Sequence, residues 1–212
     1  GLDVSKERSE LASLRGRAKD EGDSEALYLA ARHAKRRLFF SDPRLAPAER
    51  VLFAKQHPLH PSHNYSEHMD GKPVPGGGIC VLHVPRDAEG RLDPARAEVE
   101  TLFDGRAGVS RHPVADFDGQ TMLFAYRPEK PEVDGWSSYW HLWSVNADGS
   151  GAKQLTEGPF HDMDPVPLPD GDLGFISTRC ITRFLCWQPQ AYVLFRMKRD
   201  GSDIKRLSFA NI

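Results

Sequence analysis

Residues 142–156 read LWSVNADGSGAKQLT, and residues 194–208 read LFRMKRDGSDIKRLS. Leu142, Asp148-Gly149-Ser150, Lys153 and Leu155 recur as Leu194, Asp200-Gly201-Ser202, Lys205 and Leu207, an offset of 52. The same offset aligns an upstream pair, HPVADFDGQTMLFAYR at 112–127 and DPVPLPDGDLGFISTR at 164–179. Pro113 falls on Pro165, Val114 on Val166, Asp118-Gly119 on Asp170-Gly171 and Arg127 on Arg179. One offset shared by two separate blocks means one structural unit repeated.

Each unit holds four β-like runs, in the later copy about 165–168, 172–177, 191–197 and 204–208. Asp170-Gly171 and Asp200-Gly201 sit between runs, where a tight hairpin needs φ > 0. Four antiparallel strands joined by hairpins make one propeller blade, and a period near 50 suits a blade with a long middle loop. A degraded earlier unit precedes these two. Arg50–Lys55, Ile79–Val84 and Val99–Phe103 supply its strands, and the polar insert Pro85–Ala97 reads as a loop. The expectation is a mainly β chain, a partial β-propeller of about three four-stranded antiparallel blades over 46–212, with an N-terminal helical segment over 1–45. The last run ends four residues before the C-terminus, so the propeller reads as truncated, with later blades missing.

The helical segment comprises Ser5–Lys19 and Ser24–Leu38, with Asp23 and Ser24 as candidate N-caps. Lys35-Arg36-Arg37 reads as a solvated face near a helix C-terminus. Across 212 residues, 28 basic side chains face 30 acidic ones, which removes the basic footprint of a nucleic-acid binder. No apolar run approaches the ~18 residues of a membrane span. Cys80, Cys180 and Cys186 form no CxxC or CxxCH, so covalent haem and a zinc knuckle have no place in this sequence. Cys180 and Cys186 read either as ordinary thiols or as a loop-closing pair in an exported protein.

Pro169-Asp170-Gly171 with Ser177-Thr178-Arg179, and Asp148-Gly149-Ser150 with Leu155-Thr156, resemble the WD40-like repeats of the TolB propeller group. That resemblance covers 110–208. A narrower one covers about 27–84, through Val51-Leu52-Phe53-Ala54-Lys55, His60-Pro61-Ser62-His63-Asn64-Tyr65 and Pro75-Gly76-Gly77-Gly78-Ile79. This stretch resembles the middle propeller domain of the hydrazine synthase alpha subunit family of planctomycete-type bacteria. The resemblance implies a large exported protein, periplasmic or extracellular, with c-type haems in flanking domains and none here. The function expected is a non-catalytic scaffold whose partners are other domains of the same polypeptide or another protein. Part of a haem-containing redox enzyme, or a carbohydrate-binding module, are the alternatives.

Three places carry candidate chemistry. His57, His60, His63 and His68 lie within twelve residues, with Tyr65 and Glu67 among them. His60 and His63 are the expected metal ligands, with Tyr65, Glu67 or His68 as third partner, set against a plain polar loop. His161, Asp162 and Asp164 precede a first strand, where Arg111 and His112 hold the matching place. At a channel mouth His112, His161, Asp162 and Asp164 are candidate ligand contacts, or else strand-start caps. Trp136, Tyr139, Trp140 and Trp143 form either a stacking surface for a sugar or peptide or filling between blades. Pro75-Gly76-Gly77-Gly78 reads as a close backbone approach rather than a phosphate cradle, and Ser137-Ser138 has no GxSxG context.

Overall fold

The computed structural model describes residues 4–22, 24–40, 42, 44, 48–57, 74–88, 90–129, 138–182 and 191–209. The chain forms two compact units, Gly1–Val51 with Leu82–Glu98, and Leu52–Val81 with Val99–Ile212. In the first, α1 (Ser5–Glu21) and α2 (Glu25–Phe40) pack on each other. Ser24 caps α2, its Oγ accepting from the Leu27 N–H at 3.2 Å. Lys35, Arg36 and Arg37 are exposed, and Arg37 pairs with Glu10. The polar insert is more ordered than a bare loop. An Arg86–Leu92 bridge closes a turn, Leu92 is 5% exposed, and Pro94–Arg96 is a 3-10 helix begun by Asp93.

The second unit is built from strands. Two sheets have four strands each, in the order β4 (Gly108–Ala115), β5 (Thr121–Pro128), β6 (His141–Asn146), β7 (Lys153–Gln154), and β8 (Asp162–Pro167), β9 (Leu173–Ser177), β10 (Val193–Met197), β11 (Lys205–Arg206). Both meander antiparallel, as blades do. The degraded unit is a three-stranded sheet in the described residues, β1 (Arg50–Lys55), β2 (Gly78–His83) and β3 (Glu98–Asp104), not four-stranded. Its strands correspond to the second, third and fourth of a blade.

The sheets stack through opposite faces of β5 and β6. Met122, Phe124, Tyr126 and Val145 join Ile79, Val81 and Leu102 in one core. Leu123, Ala125 and Leu142 join Leu173, Phe175, Val193, Phe195 and Met197 in another. Both faces of the middle sheet are thus dry, which is why MLFAY is apolar at every position rather than at alternate ones.

The repeat has one register difference that a gapless offset hides. Ser110 pairs with Tyr126, whereas its counterpart Asp162 pairs with Ser177. In the first hairpin the N–H of Asp116 reaches the carbonyl of Thr121, and in the second that of Leu168 reaches Asp172, one residue sooner. The β5 equivalents of β9 therefore lie 51 residues back, and Trp143 and Phe195 restore 52 in the next strand. Arg127 matches Thr178, not Arg179, because a one-residue slip in a strand moves a side chain to the other face.

The conserved-looking letters of the repeat have local jobs. In each sheet a Thr or Ser hydroxyl accepts the N–H that opens the third strand: Thr156 from Leu142 at 3.0 Å, Ser208 from Leu194 at 2.9 Å. In each Asp-Gly-Ser turn the Asp Oδ1 accepts the Ser N–H, at 2.9 Å for both Asp148 and Asp200. The middle glycine lies over the preceding sheet. A Cβ on Gly149 would stand 3.3 Å from the Leu102 carbonyl oxygen, and one on Gly201 only 2.1 Å from that of Leu155. Gly77 and Gly78 meet backbone as closely, at Lys55 and Phe103, which makes this glycine run a packing device.

Gly171 and Gly201 both have positive φ, 88° and 93°, but only Gly201 faces a neighbour. Gly171→Ala is expected to cost about 1 kcal/mol, the backbone penalty alone. Gly201→Ala carries that penalty and also pushes on the Leu155 backbone, adding about 2 kcal/mol. Urea unfolding of the two variants checks the difference; equal losses would mean the turn does not bear on the neighbouring sheet.

Candidate functional site

The first strands β4 and β8 run beside each other, and each carries the same irregularity. Pairing with the second strand shifts between Arg111 and Val114, and again between Met163 and Val166, so each strand holds one extra residue. The extra residue precedes proline, which has no N–H to donate to the ladder. His112 and Asp164 occupy it, both with φ 51°, a region where His and Asp are the better-tolerated side chains. The two bulges bring these side chains together, His112 Nδ1 standing 2.6 Å from Asp164 Oδ1, at 36% and 46% exposure. The contact does not meet hydrogen-bond geometry, so the two side chains meet by proximity alone.

Behind this surface pair lies a buried polar cluster. Asp162 is fully buried. It accepts from Ser177 Oγ at 2.6 Å and from Arg179 Nε and Nη2 at 3.0 and 2.8 Å, a two-pronged pair. His141 Nδ1 stands 3.8 Å from the same carboxylate, beyond hydrogen-bond reach. Burial on its own would raise the Asp162 pKa, but the hydrogen bonds from Arg179 and Ser177 and the Arg179 charge hold it below the usual carboxylate range. Arg179 also donates to the Glu157 carbonyl and lies over the Phe160 ring.

His161 is 7% exposed. Its Nδ1 accepts the Trp140 N–H at 3.3 Å, and its own backbone N–H donates to Thr178 Oγ1 at 2.9 Å. The neutral ring therefore carries its proton on Nε2. Burial, reinforced by the Arg127 charge, lowers its pKa to about 4. Tyr139 packs on one side of the ring, Tyr192 farther off. Arg127 binds Ser138 Oγ at 2.9 Å, and Arg111 lies over the Trp140 ring.

The four channel-mouth candidates thus separate. His112 and Asp164 are half-exposed and touch; His161 and Asp162 are internal and hold strands rather than face solvent. The sequence put these residues ahead of a first strand, whereas Asp162 and Asp164 lie within β8 and His112 within β4, and it could not tell surface from core. Arg179, Ser177 and His141 escaped it as partners of Asp162. The spacing of Ser177, the last residue of β9, and Arg179, two residues on, was the signal for the first two. The gapless alignment obscured it by giving Arg127 the same role. In the preceding sheet Ser110, Tyr126 and Pro128 stand where Asp162, Ser177 and Arg179 stand, and no ion cluster forms. Ser110 Oγ is buried there with no hydrogen-bond partner among the described residues.

His60, His63, Tyr65, Glu67 and His68 lie outside the described residues, as do Asp23, Trp136, Ser137 and Cys186. Among the described residues no group of three His, Cys, Asp or Glu side chains could hold a metal ion. His57 packs against Gly76. Trp140 is 1% exposed, and Trp143 is partly buried against the first core. Cys80 and Cys180 are free thiols, the latter bonded to the Ala191 carbonyl. No described helix is long and apolar enough to cross a membrane.

No protein-family model matches the chain, and no curated protein matches it. Among solved structures, it is similar to a TolB protein from Agrobacterium tumefaciens at 16% identity and a TM-score of 0.44, over 76% of this chain and 46% of that one. It is similar to a puromycin hydrolase at 18% identity and a TM-score of 0.42, over 64% of this chain and 19% of that one. A puromycin-hydrolysing peptidase from Mycobacterium tuberculosis gives 15%, 0.41, 66% and 19%. The chain thus spans less than half the length of each.

The lowered pKa of His161 makes stability depend on pH. An unfolded His binds a proton below ~6.5 while the buried ring stays neutral down to about 4, so the unfolded state holds more protons in that window. Stability is full above ~6.5 and falls by roughly 3 kcal/mol as pH drops to about 4. His161→Gln is expected to flatten this slope in urea unfolding series at pH 7, 6, 5 and 4. An unchanged slope would place the proton uptake elsewhere. Asp162→Ala, which leaves Arg179 without its carboxylate, is expected to cost about 3–5 kcal/mol at pH 7.

Proposed function

We propose that this chain is a non-catalytic β-propeller interaction domain of a larger protein. It binds an extended peptide segment, from another domain or a protein partner, on the surface formed by the two bulges. The observation that carries the reading is the duplicated bulge, which sets His112 and Asp164 side by side at a place where backbone strain has to be compensated. An imidazole and a carboxylate on one half-exposed surface offer a donor and acceptors, which suits the alternating N–H and C=O groups of a peptide. The charges beneath are committed to one another, Asp162 to Arg179 and Ser177, which favours a rigid support over an acid–base machine.

The resemblance of residues 27–84 to the hydrazine synthase alpha subunit middle domain supports placing this domain inside an exported protein, in the periplasm or outside the cell. It also supports a second reading, a redox enzyme whose haems sit in other domains. That reading requires CxxCH motifs elsewhere in the full-length gene.

A peptide array and a glycan array, probed with the purified chain and with a His112→Ala/Asp164→Ala variant, test the proposal. The chain is expected to bind a subset of peptides, and the variant, with unchanged circular dichroism, at least tenfold more weakly, about 1.4 kcal/mol. Binding of glycans in place of peptides, equal binding by the variant, or no binding at all overturns it.

A further inference from the structure

The helical unit carries an apolar groove left open among the described residues. Leu11, Leu14 and Ala18 of α1 line one wall, and Leu27, Ala31 and Ala34 of α2 line the other, with Tyr28 beside Leu27. Both walls step by three and four, the spacing of a seam that packs against other helices. Yet Leu11 and Tyr28 are 47% and 58% exposed, and Ala18 and Ala31 are exposed as well. Among the described residues of both helices only Leu27 is buried. One layer of two helices cannot dry a seam of this width, and the usual completion is a second layer of two.

We propose that this groove is a homodimer interface, in which the helix pair of a second copy closes a four-helix bundle, α1 of each copy lying on α2 of the other. Size complementarity chooses that occupant. The Arg37–Glu10 pair fixes which positions of the two antiparallel helices stand level. Leu11 and Leu14 come level with the stretch around Ala31 and Ala34, and Ala18 comes level with Tyr28. A two-fold axis along the helices preserves these levels and carries α1 over the other copy's α2. Large side chains then meet small ones at each level, as interlocking layers require. Charge agrees. The rim holds Glu7 and Arg15 on α1, and Glu25 and Lys35 on α2. The same axis brings Glu7 to the Lys35 end and Arg15 to the Glu25 end of the second copy, and a rim of two acids and two bases favours neither an acidic nor a basic foreign partner. Helices of 17 and 16 residues are about 25 Å long, so the pair offers about 500 Å² per copy, or about 1,000 Å² in total. That is the low end for a specific interface and implies a dissociation constant of roughly 1–100 µM. The inference is independent of the peptide-binding reading, which concerns β4 and β8.

Sedimentation of the full chain from about 1 to about 500 µM tests the proposal. The mass should double across that range. Ala31→Glu, with unchanged circular dichroism, should raise the dissociation constant at least about tenfold. A cross-linking experiment reads the arrangement itself. Copies carrying Leu14→Cys are mixed with copies carrying Ala31→Cys and oxidised, and peptide mass mapping separates the products from those of Cys80 and Cys180. The mixture should give a cross-link between positions 14 and 31, at least about tenfold above any cross-link either variant makes with itself. A monomer throughout the range overturns the proposal, and if that monomer binds an amphipathic Leu/Ala heptad peptide, the groove belongs to a foreign helix. A dimer that survives Ala31→Glu overturns it too, as does a dimer that gives no cross-link between positions 14 and 31.

Discussion

A sheet covered on both faces has no polar side, and this condition governs the strand unit. β5 and β6 meet apolar partners on either hand, with Phe103, Phe124, Tyr126 and Trp143 in mutual ring contact on one face and Leu123, Ala125 and Leu142 on the other. Most of the paired polar groups then sit where strands begin and end. The hydroxyls of Thr156 and Ser208 take the N–H groups of strand starts, and Asp162, His161 and Arg179 gather at the ends of β8 and β9.

Much of this was legible because the repeat is written in turn residues. Asp-Gly between runs marks hairpins by local backbone chemistry, which tertiary context does not override, so the strands fall close to where the periodicity puts them. Register was not legible in the same way. One residue, within the Asp116–Thr121 hairpin, shifts β5 against its copy, and identical letters such as Arg127 and Arg179 then serve on different faces. Burial of His161 and Asp162 was also hidden, since a charged residue at a strand start reads as a cap until its partners across the sheet are known. The His60–His63 stretch gave composition without periodicity, and composition alone does not position side chains.

The cluster around Asp162 also shows how two copies of one unit diverge. Where one sheet has an acid, a serine and an arginine, the other has a serine, a tyrosine and a proline, and only the surface bulge above them is kept in both. A buried ion pair of this kind adds little net stability against an apolar replacement, but it fixes which strand ends meet. The gain is orientation: Asp162 meets both Ser177 and Arg179 only when β8 sits on β9 in this register.

The outermost strands are only two residues long, Lys153–Gln154 and Lys205–Arg206, and cationic side chains fill three of those four places. Free sheet edges recruit other chains by pairing their open amides, and long, flat, uncharged edges do so best. Here the ladder stops almost as it starts, and the hydroxyls of Thr156 and Ser208 occupy the next amide inward. The outer rim of each four-stranded sheet is thereby a poor template for amyloid-like growth, even though the strands behind it are rich in the residues that such growth prefers.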